Sequence, residues 1–295
     1  MTLFRSSLLA LTLAAGLMLP AAAQDAAKPF ADPSRLVVIG GSLLEIVYEL
    51  GQQDKLVARD TTGIYPPEAA ALPDVGYMRA LSPEGVLGVN PSALLVVEGS
   101  GPPETLDVLS KGSVPYVVVP EHFSHQGVLD KVHAVGAALD VTEAAQTLAA
   151  QLDAEMAAAE AVTKAIPEAE RKRVLFVISA QDGKIRAAGD GTAAGGIITL
   201  AGGINPLAGM AGYQTLTDEA ILTANPDVVL MMSNSGAGDF SDQLAGNAAL
   251  AATPALLNGR IIKMDGAFLL GFGPRTPSAI LELAQALYGD AVKAP

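Results

Sequence analysis

The sequence predicts an α/β protein of two similar lobes, each with a central, mainly parallel sheet, joined by one long α-helix. Three observations carry this expectation. The first is a repeat. Leu81-Ser82-Pro83-Glu84 through Asn90-Pro91 is matched 135 positions later by Leu216-Thr217-Asp218-Glu219 through Asn225-Pro226, and each copy runs into an apolar segment. In both, a Ser or Thr N-cap opens a short helix, acids in the first turn complement its positive end, and Asn-Pro stops it. The second is the alternation of short apolar runs with helical patterns in each half, which is the pattern of a parallel sheet covered by helices. The third is the stretch from Thr142 to about Ala165, rich in Ala, Glu and Gln and free of Gly and Pro. As a helix it spans roughly 35 Å.

Taken in order, residues 1–23 read as a secretory signal peptide. Arg5 precedes an apolar run from Leu8 to Leu19, and Ala21-Ala22-Ala23 offers a small-residue cleavage site. That run is too short to span a membrane. A polar lead follows, and the first lobe is expected over 34–141. Arg35 to Ile39 reads as a buried strand, Leu43 to Leu50 as a helix ending at Gly51, and Leu56 to Arg59 as a second strand. Leu94 to Val97 and Pro115 to Val119 add two strands, and a helix is expected from about Gly127 to Leu139. The linking helix is placed over 142–168 and the second lobe over 169–293. There the pattern restarts with a strand from Arg173 to Ile178 and a helix between Gly189 and Gly203. Strands at Val228 to Met232 and Arg260 to Met264 and a closing helix from Thr276 to Tyr288 complete the lobe.

Composition narrows the function. Of the 31 acidic and 18 basic residues, only Arg5 would leave with the signal peptide, so the mature chain stays strongly acidic. Nucleic acid, whose phosphates need a basic surface, is excluded as a partner. Cysteine is absent. There are therefore no disulfides and no lipid-modified N-terminal cysteine, and the expected location is the periplasm.

Two Rossmann-like lobes bridged by one helix, each with a glutamate ahead of an Asn-Pro break, resemble the substrate-binding proteins of iron-chelate and cobalamin importers. The resemblance covers essentially the whole mature chain. It implies that Glu84 and Glu219 dock onto arginines of an ABC permease. It narrows at Leu72 to Leu81, where Gly76-Tyr77-Met78-Arg79 looks like the segment of the periplasmic hemin-binding proteins. Ala58-Arg59-Asp60-Thr61-Thr62 and Leu269 to Pro277 look like the same subfamily. The resemblance implies ferric haem as cargo, Tyr77 as the axial ligand to its iron, a monomer, and an outer-membrane haem receptor system upstream.

The chemistry of the residues agrees with that implication. A phenol ionises only near pH ~10, so a tyrosinate ligand needs help from a cation or from the metal itself. Arg79, two residues on, projects to the same side in an extended segment. Tyrosinate is an established class of haem ligand. Read without the family, Tyr77 is better taken as a rim tyrosine hydrogen-bonded at a turn, and Arg79 as part of a surface ion pair. Tyr65, in Tyr65-Pro66-Pro67, competes for the iron from a rigid loop. His122 and His125 follow a strand end, the side on which ligands bind in parallel sheets; one of them, with His122 the candidate, approaches the far side of the iron, or both are polar loop residues near a helix start. Tyr213 is placed on the cleft wall from the second lobe, and Arg275 is matched to a haem propionate. Some relatives carry a histidine after the first strand of the second lobe and hold a second haem. Val177 to Asp182 has none, so one haem is expected.

Two other readings stand beside this one. A ferric siderophore or cobalamin would suit the same fold. A secreted hydrolase would need a nucleophile–base pair or paired carboxylates, and neither a Gly-x-Ser-x-Gly elbow nor His-Glu-x-x-His occurs. The chain is therefore expected to bind and not to catalyse.

Overall fold

The computed structural model describes residues 28–233 and 240–292. The expected signal peptide lies outside them. In the first lobe, β1 (Leu36–Ile39), β2 (Leu56–Arg59), β3 (Ala93–Val97) and β4 (Tyr116–Val119) form one sheet in the order β2-β1-β3-β4. Every pairing is parallel. Each residue of β1 and β3 is buried, because helices cover both faces of the inner strands.

The second lobe carries β5 (Val174–Gln181), β6 (Lys184–Ala188), β7 (Tyr213–Thr215), β8 (Val228–Met232) and β9 (Ile261–Met264), in the order β7-β6-β5-β8-β9. Here β5, β8 and β9 are parallel, whereas β6 and β7 run antiparallel. Neither antiparallel strand was expected. The first strand does not stop near Ile178 but continues to Gln181 and doubles back. Asp182 and Gly183 both have positive φ, 50° and 72°, and Gln181 pairs with Lys184 across them. An Asp-Gly pair with this backbone matches the twist of a hairpin, so the local signal was present. The helix expected between Gly189 and Gly203 covers only Ala193–Leu200, with Thr192 accepting from the Gly195 amide at 3.0 Å. A helix at Pro103–Ser110 was also unforeseen.

The repeated segments fold alike. Ser82 caps Pro83–Leu87 by accepting from Gly85 N, and Thr217 caps Asp218–Ala224 by accepting from Ala220 N. Asn225 caps the second helix, whereas the first ends at Leu87, three residues before Asn90; both asparagines are left-handed, with φ of 38° and 57°. Asparagine tolerates that region better than most residues, and the following proline disfavours a further helical turn.

The long helix, Thr142–Lys164, buries Leu148, Leu152, Met156 and Ala159 along one side. One continuous core passes through it, with Leu43 and Val132 in the first lobe and Ile197 and Leu283 in the second. At one end Gly136 lets the helix approach so closely that a Cβ there would sit 2.2 Å from that of Ala145. At the other, Thr163 Oγ1 donates to Leu200 O at 2.8 Å.

The lobes also meet directly. Lys131, on helix His125–Ala138, is fully buried. Its ammonium donates to Ser42 Oγ at 3.2 Å, Glu121 Oε1 at 2.7 Å and, across the lobes, Phe272 O at 2.9 Å. All three N–H donors are thereby used. Phe272 holds a φ of 48°, an uncommon conformation for an aromatic residue, and its ring packs edge-on against Phe123 at 5.2 Å. Removing the cation alone should strand Glu121. Lys131→Met is expected to cost roughly 3 kcal/mol of unfolding free energy, and adding Glu121→Gln to return most of it. Urea unfolding of both single variants and the double variant measures this.

Candidate functional site

A cleft of about 790 Å³ lies between the lobes, within the size range typical of small-molecule sites. Its first-lobe wall begins where β1 ends, at Gly40 and Gly41, and includes Thr61, Tyr77, Met78 and Arg79. Facing it from the second lobe are Ile178, Thr192, Tyr213, Met232 and Leu270. Most of the surface the cleft exposes is apolar, and its polar side chains include three glutamates, Glu45, Glu98 and Glu121.

The loop that carries Tyr77 is held by a buried carboxylate. Asp60 follows β2 and has no exposed surface. Its oxygens accept from Gly40 N at 2.9 Å, Thr62 N at 3.1 Å, Thr62 Oγ1 at 2.8 Å and Met78 N at 3.2 Å. One carboxylate thus ties the tip of β1 to the residue next to Tyr77. A second tie runs from Arg59 Nη1 to Asp74 Oδ2 at 2.7 Å, and Asp74 Oδ1 accepts from Gly76 N at 2.8 Å. Gly76 has φ of 104°, closed to side-chain-bearing residues at low cost, which turns the chain into Tyr77. Ala80 N then donates to Tyr77 O at 2.7 Å and closes a turn. Tyr77 is left 45% exposed, and Arg79 is exposed beside it.

Tyr213 faces them from β7. Burial pushes its phenol above the ordinary tyrosine range, while Arg79 and Arg186 pull it down and Tyr77 adds to the rise. Tyr77, Arg79 and Tyr213 thus line one cleft from two lobes, as the sequence suggested. The other expected contacts lie elsewhere. Tyr65, Arg275 and His122 are not among the cleft-lining residues. Arg275 donates to Glu45 through Nε at 2.9 Å and Nη2 at 2.5 Å, and its guanidinium lies 3.9 Å from the centre of the Tyr65 ring. The fork matched to a ligand carboxylate is therefore occupied by Glu45, which does line the cleft. His122 is exposed. His125 turns to the long helix, with Nδ1 3.0 Å from Glu160 Oε1 and Nε2 2.9 Å from Asp153 Oδ1.

Sequence reasoning passed over Asp60, Thr62, Glu98 and Glu121 as individual residues. The signal available for Asp60 was its place directly after a strand, at the carboxyl end where such sheets bind ligands. Glu98, directly after β3, carries the same mark, and Glu121 lies two residues beyond the end of β4. Their connection, Glu121 N donating to Glu98 Oε2 at 2.9 Å, exists only in the fold.

Glu84 and Glu219 are both exposed on their short helices. Among the described residues neither carboxylate has a hydrogen-bond or ion-pair partner.

The family model for periplasmic binding proteins matches residues 36–267. The chain belongs to the periplasmic binding protein family. Among solved members, the periplasmic haem-binding protein RhuT from Roseiflexus sp. RS-1, in apo form, is 36% identical with a TM-score of 0.81, over 88% of this chain and 99% of that one. The haem-binding protein BhuT, in complex with two haems, is 37% identical with a TM-score of 0.79, over 88% and 99%. Similar curated sequences include the uncharacterized ABC transporter substrate-binding lipoprotein YvrC of Bacillus subtilis (strain 168), 25% identical over 89% of this chain and 82% of its own. A cobalamin-binding protein of Halobacterium salinarum is 24% identical over 92% and 74%. The two-lobed chain is accordingly the substrate-binding protein of an ABC transporter, with a permease as partner and a small molecule as ligand, and works outside the cytoplasm.

Burial raises the carboxyls of Asp60, Glu45 and Glu121 above their usual range, each opposed by its own hydrogen bonds or cations. For Asp60 the folded state therefore binds a proton more tightly than the unfolded chain. Between the ordinary aspartate value of 3.8 and its raised folded value, its contribution to stability falls as pH rises. Unfolding free energy measured from pH ~4 upward should consequently rise less steeply in the wild type than in Asp60→Asn.

Proposed function

We propose that this binding protein carries ferric haem across the periplasm, and that it binds its cargo without transforming it. One haem lies between the lobes with Tyr77 on the iron, Arg79 favouring the phenolate, and Tyr213 closing from the second lobe. The observation that carries this reading is the exposed pair Tyr77 and Arg79 on a braced loop, opening into an apolar cleft large enough for a porphyrin-sized ligand. An anionic oxygen donor suits ferric iron, and a flat apolar cargo suits walls such as Met78, Phe123 and Leu270. The identities of 36% and 37% to proteins named as haem-binding support the same cargo. Arg275 and Tyr65 act from behind the wall, through Glu45. Haem arrives from an outer-membrane receptor system, and Glu84 and Glu219 meet basic groups of the permease. Long-range attraction of this kind steers encounter and fixes orientation.

Cobalamin is the second reading, favoured by the relative named for it. A hemin titration of the mature protein followed by absorbance distinguishes the two. Saturation at one equivalent with a ferric tyrosinate spectrum is expected, and Tyr77→Ala should lose that spectrum and weaken binding by about tenfold or more. Unchanged binding in Tyr77→Ala removes the iron from Tyr77. Binding of cyanocobalamin but not hemin replaces the cargo.

A further inference from the structure

The repeated segments share more than their glutamates. Val86 and Ile221, at matching positions, are fully buried. Leu87 and Leu222, one residue further on, point the other way and are 38% and 53% exposed. Each leucine stands three positions after its glutamate on the same short helix, Glu84 to Leu87 and Glu219 to Leu222, so acid and leucine are surface neighbours. Scattered exposed leucines need no explanation. A leucine left out of the core at the same position of two helices, each time beside an acid with no partner among the described residues, is a different matter. Beside Glu219 there is also a shallow depression of about 340 Å³, walled by Leu207, Met210 and Ala220.

The position of these patches relative to the cleft is set by the chain. Glu84 lies seven residues after Tyr77, and Glu219 six after Tyr213. At ~3.5 Å per residue, each patch is within about 25 Å of a cleft tyrosine.

We infer that Leu87 and Leu222 are the apolar half of a two-point docking surface, whose occupant is the permease of this protein's own transporter. On this inference the permease offers each lobe a cation for the glutamate and an apolar socket for the leucine. It rests on the docking roles proposed above for Glu84 and Glu219. The chain's formal net charge of −13 favours a basic partner at long range. The division of labour follows from the range of the two forces. The carboxylates act at a distance and set the association rate, whereas the leucines act only on contact and set the dissociation rate.

The test uses the full mature protein and its permease in lipid nanodiscs, with association and dissociation rates read at two salt concentrations. Leu87→Ser/Leu222→Ser is expected to raise the dissociation rate by about tenfold, with the association rate and its salt dependence retained and ligand binding intact. The milder Leu87→Ala/Leu222→Ala should shift the same rate in the same direction with an unchanged Tm. Glu84→Gln/Glu219→Gln should slow association and flatten its salt dependence. Weakened docking in the glutamate variant with wild-type rates in both leucine variants overturns the role of the leucines and leaves the docking reading standing. Wild-type rates in all three overturn the docking reading and the leucine role with it.

Discussion

The relation between the two lobes depends on one buried ammonium. Lys131 sits in the interior with no exposed surface, and burial lowers its proton affinity. A lone cation there would be strongly destabilising. Three acceptors offset that cost, and they come from three places: Ser42 near the tip of β1, Glu121 on the cleft wall, and Phe272 O from the other lobe. A second clasp lies close by, where Arg275 grips Glu45 and covers Tyr65. Ser42, Glu45 and Glu121 all line the cleft. The groups that hold the lobes together are thus also part of the surface the ligand meets.

This arrangement limits how the cleft can move. The long helix is embedded in one core shared by both lobes, and the clasps at Lys131 and Arg275 cross between them. Wide opening would break the Arg275–Glu45 ion pair and the hydrogen bond from Lys131 to Phe272 O, and would separate Phe123 from Phe272. The side chains left free to adjust are Tyr77 and Arg79, exposed on a loop whose backbone is anchored through Asp60. Rigid walls with a few adjustable donors keep the ordering cost of binding small.

Much of this was legible along the chain. The repeat at Ser82 and Thr217 predicted two capped helices, and both caps and both left-handed asparagines are present. The long helix runs from Thr142, where the breaker-free stretch begins, to Lys164. The hairpin at Asp182-Gly183 was equally visible as a turn signal, but the apolar run before it dominated the reading. Its consequence is large, because β7 pairs with β6 and so places Tyr213 opposite Tyr77.

What the chain alone could settle were the features written in residues a few positions apart: caps, strand runs, the bridging helix, and a Tyr-x-Arg pair ahead of an exposed acid. Such features depend on local backbone preference and on side-chain periodicity, both of which a short window contains. The partners of Arg275, the three acceptors of Lys131 and the anchoring role of Asp60 were decided by the fold. Glu45 meets Arg275, and Phe272 meets Lys131, across more than a hundred residues of chain. No periodicity records those distances. Each of these polar groups takes the partner that packing of the two lobes brings to it, because a buried charge must be paired wherever the chain delivers it.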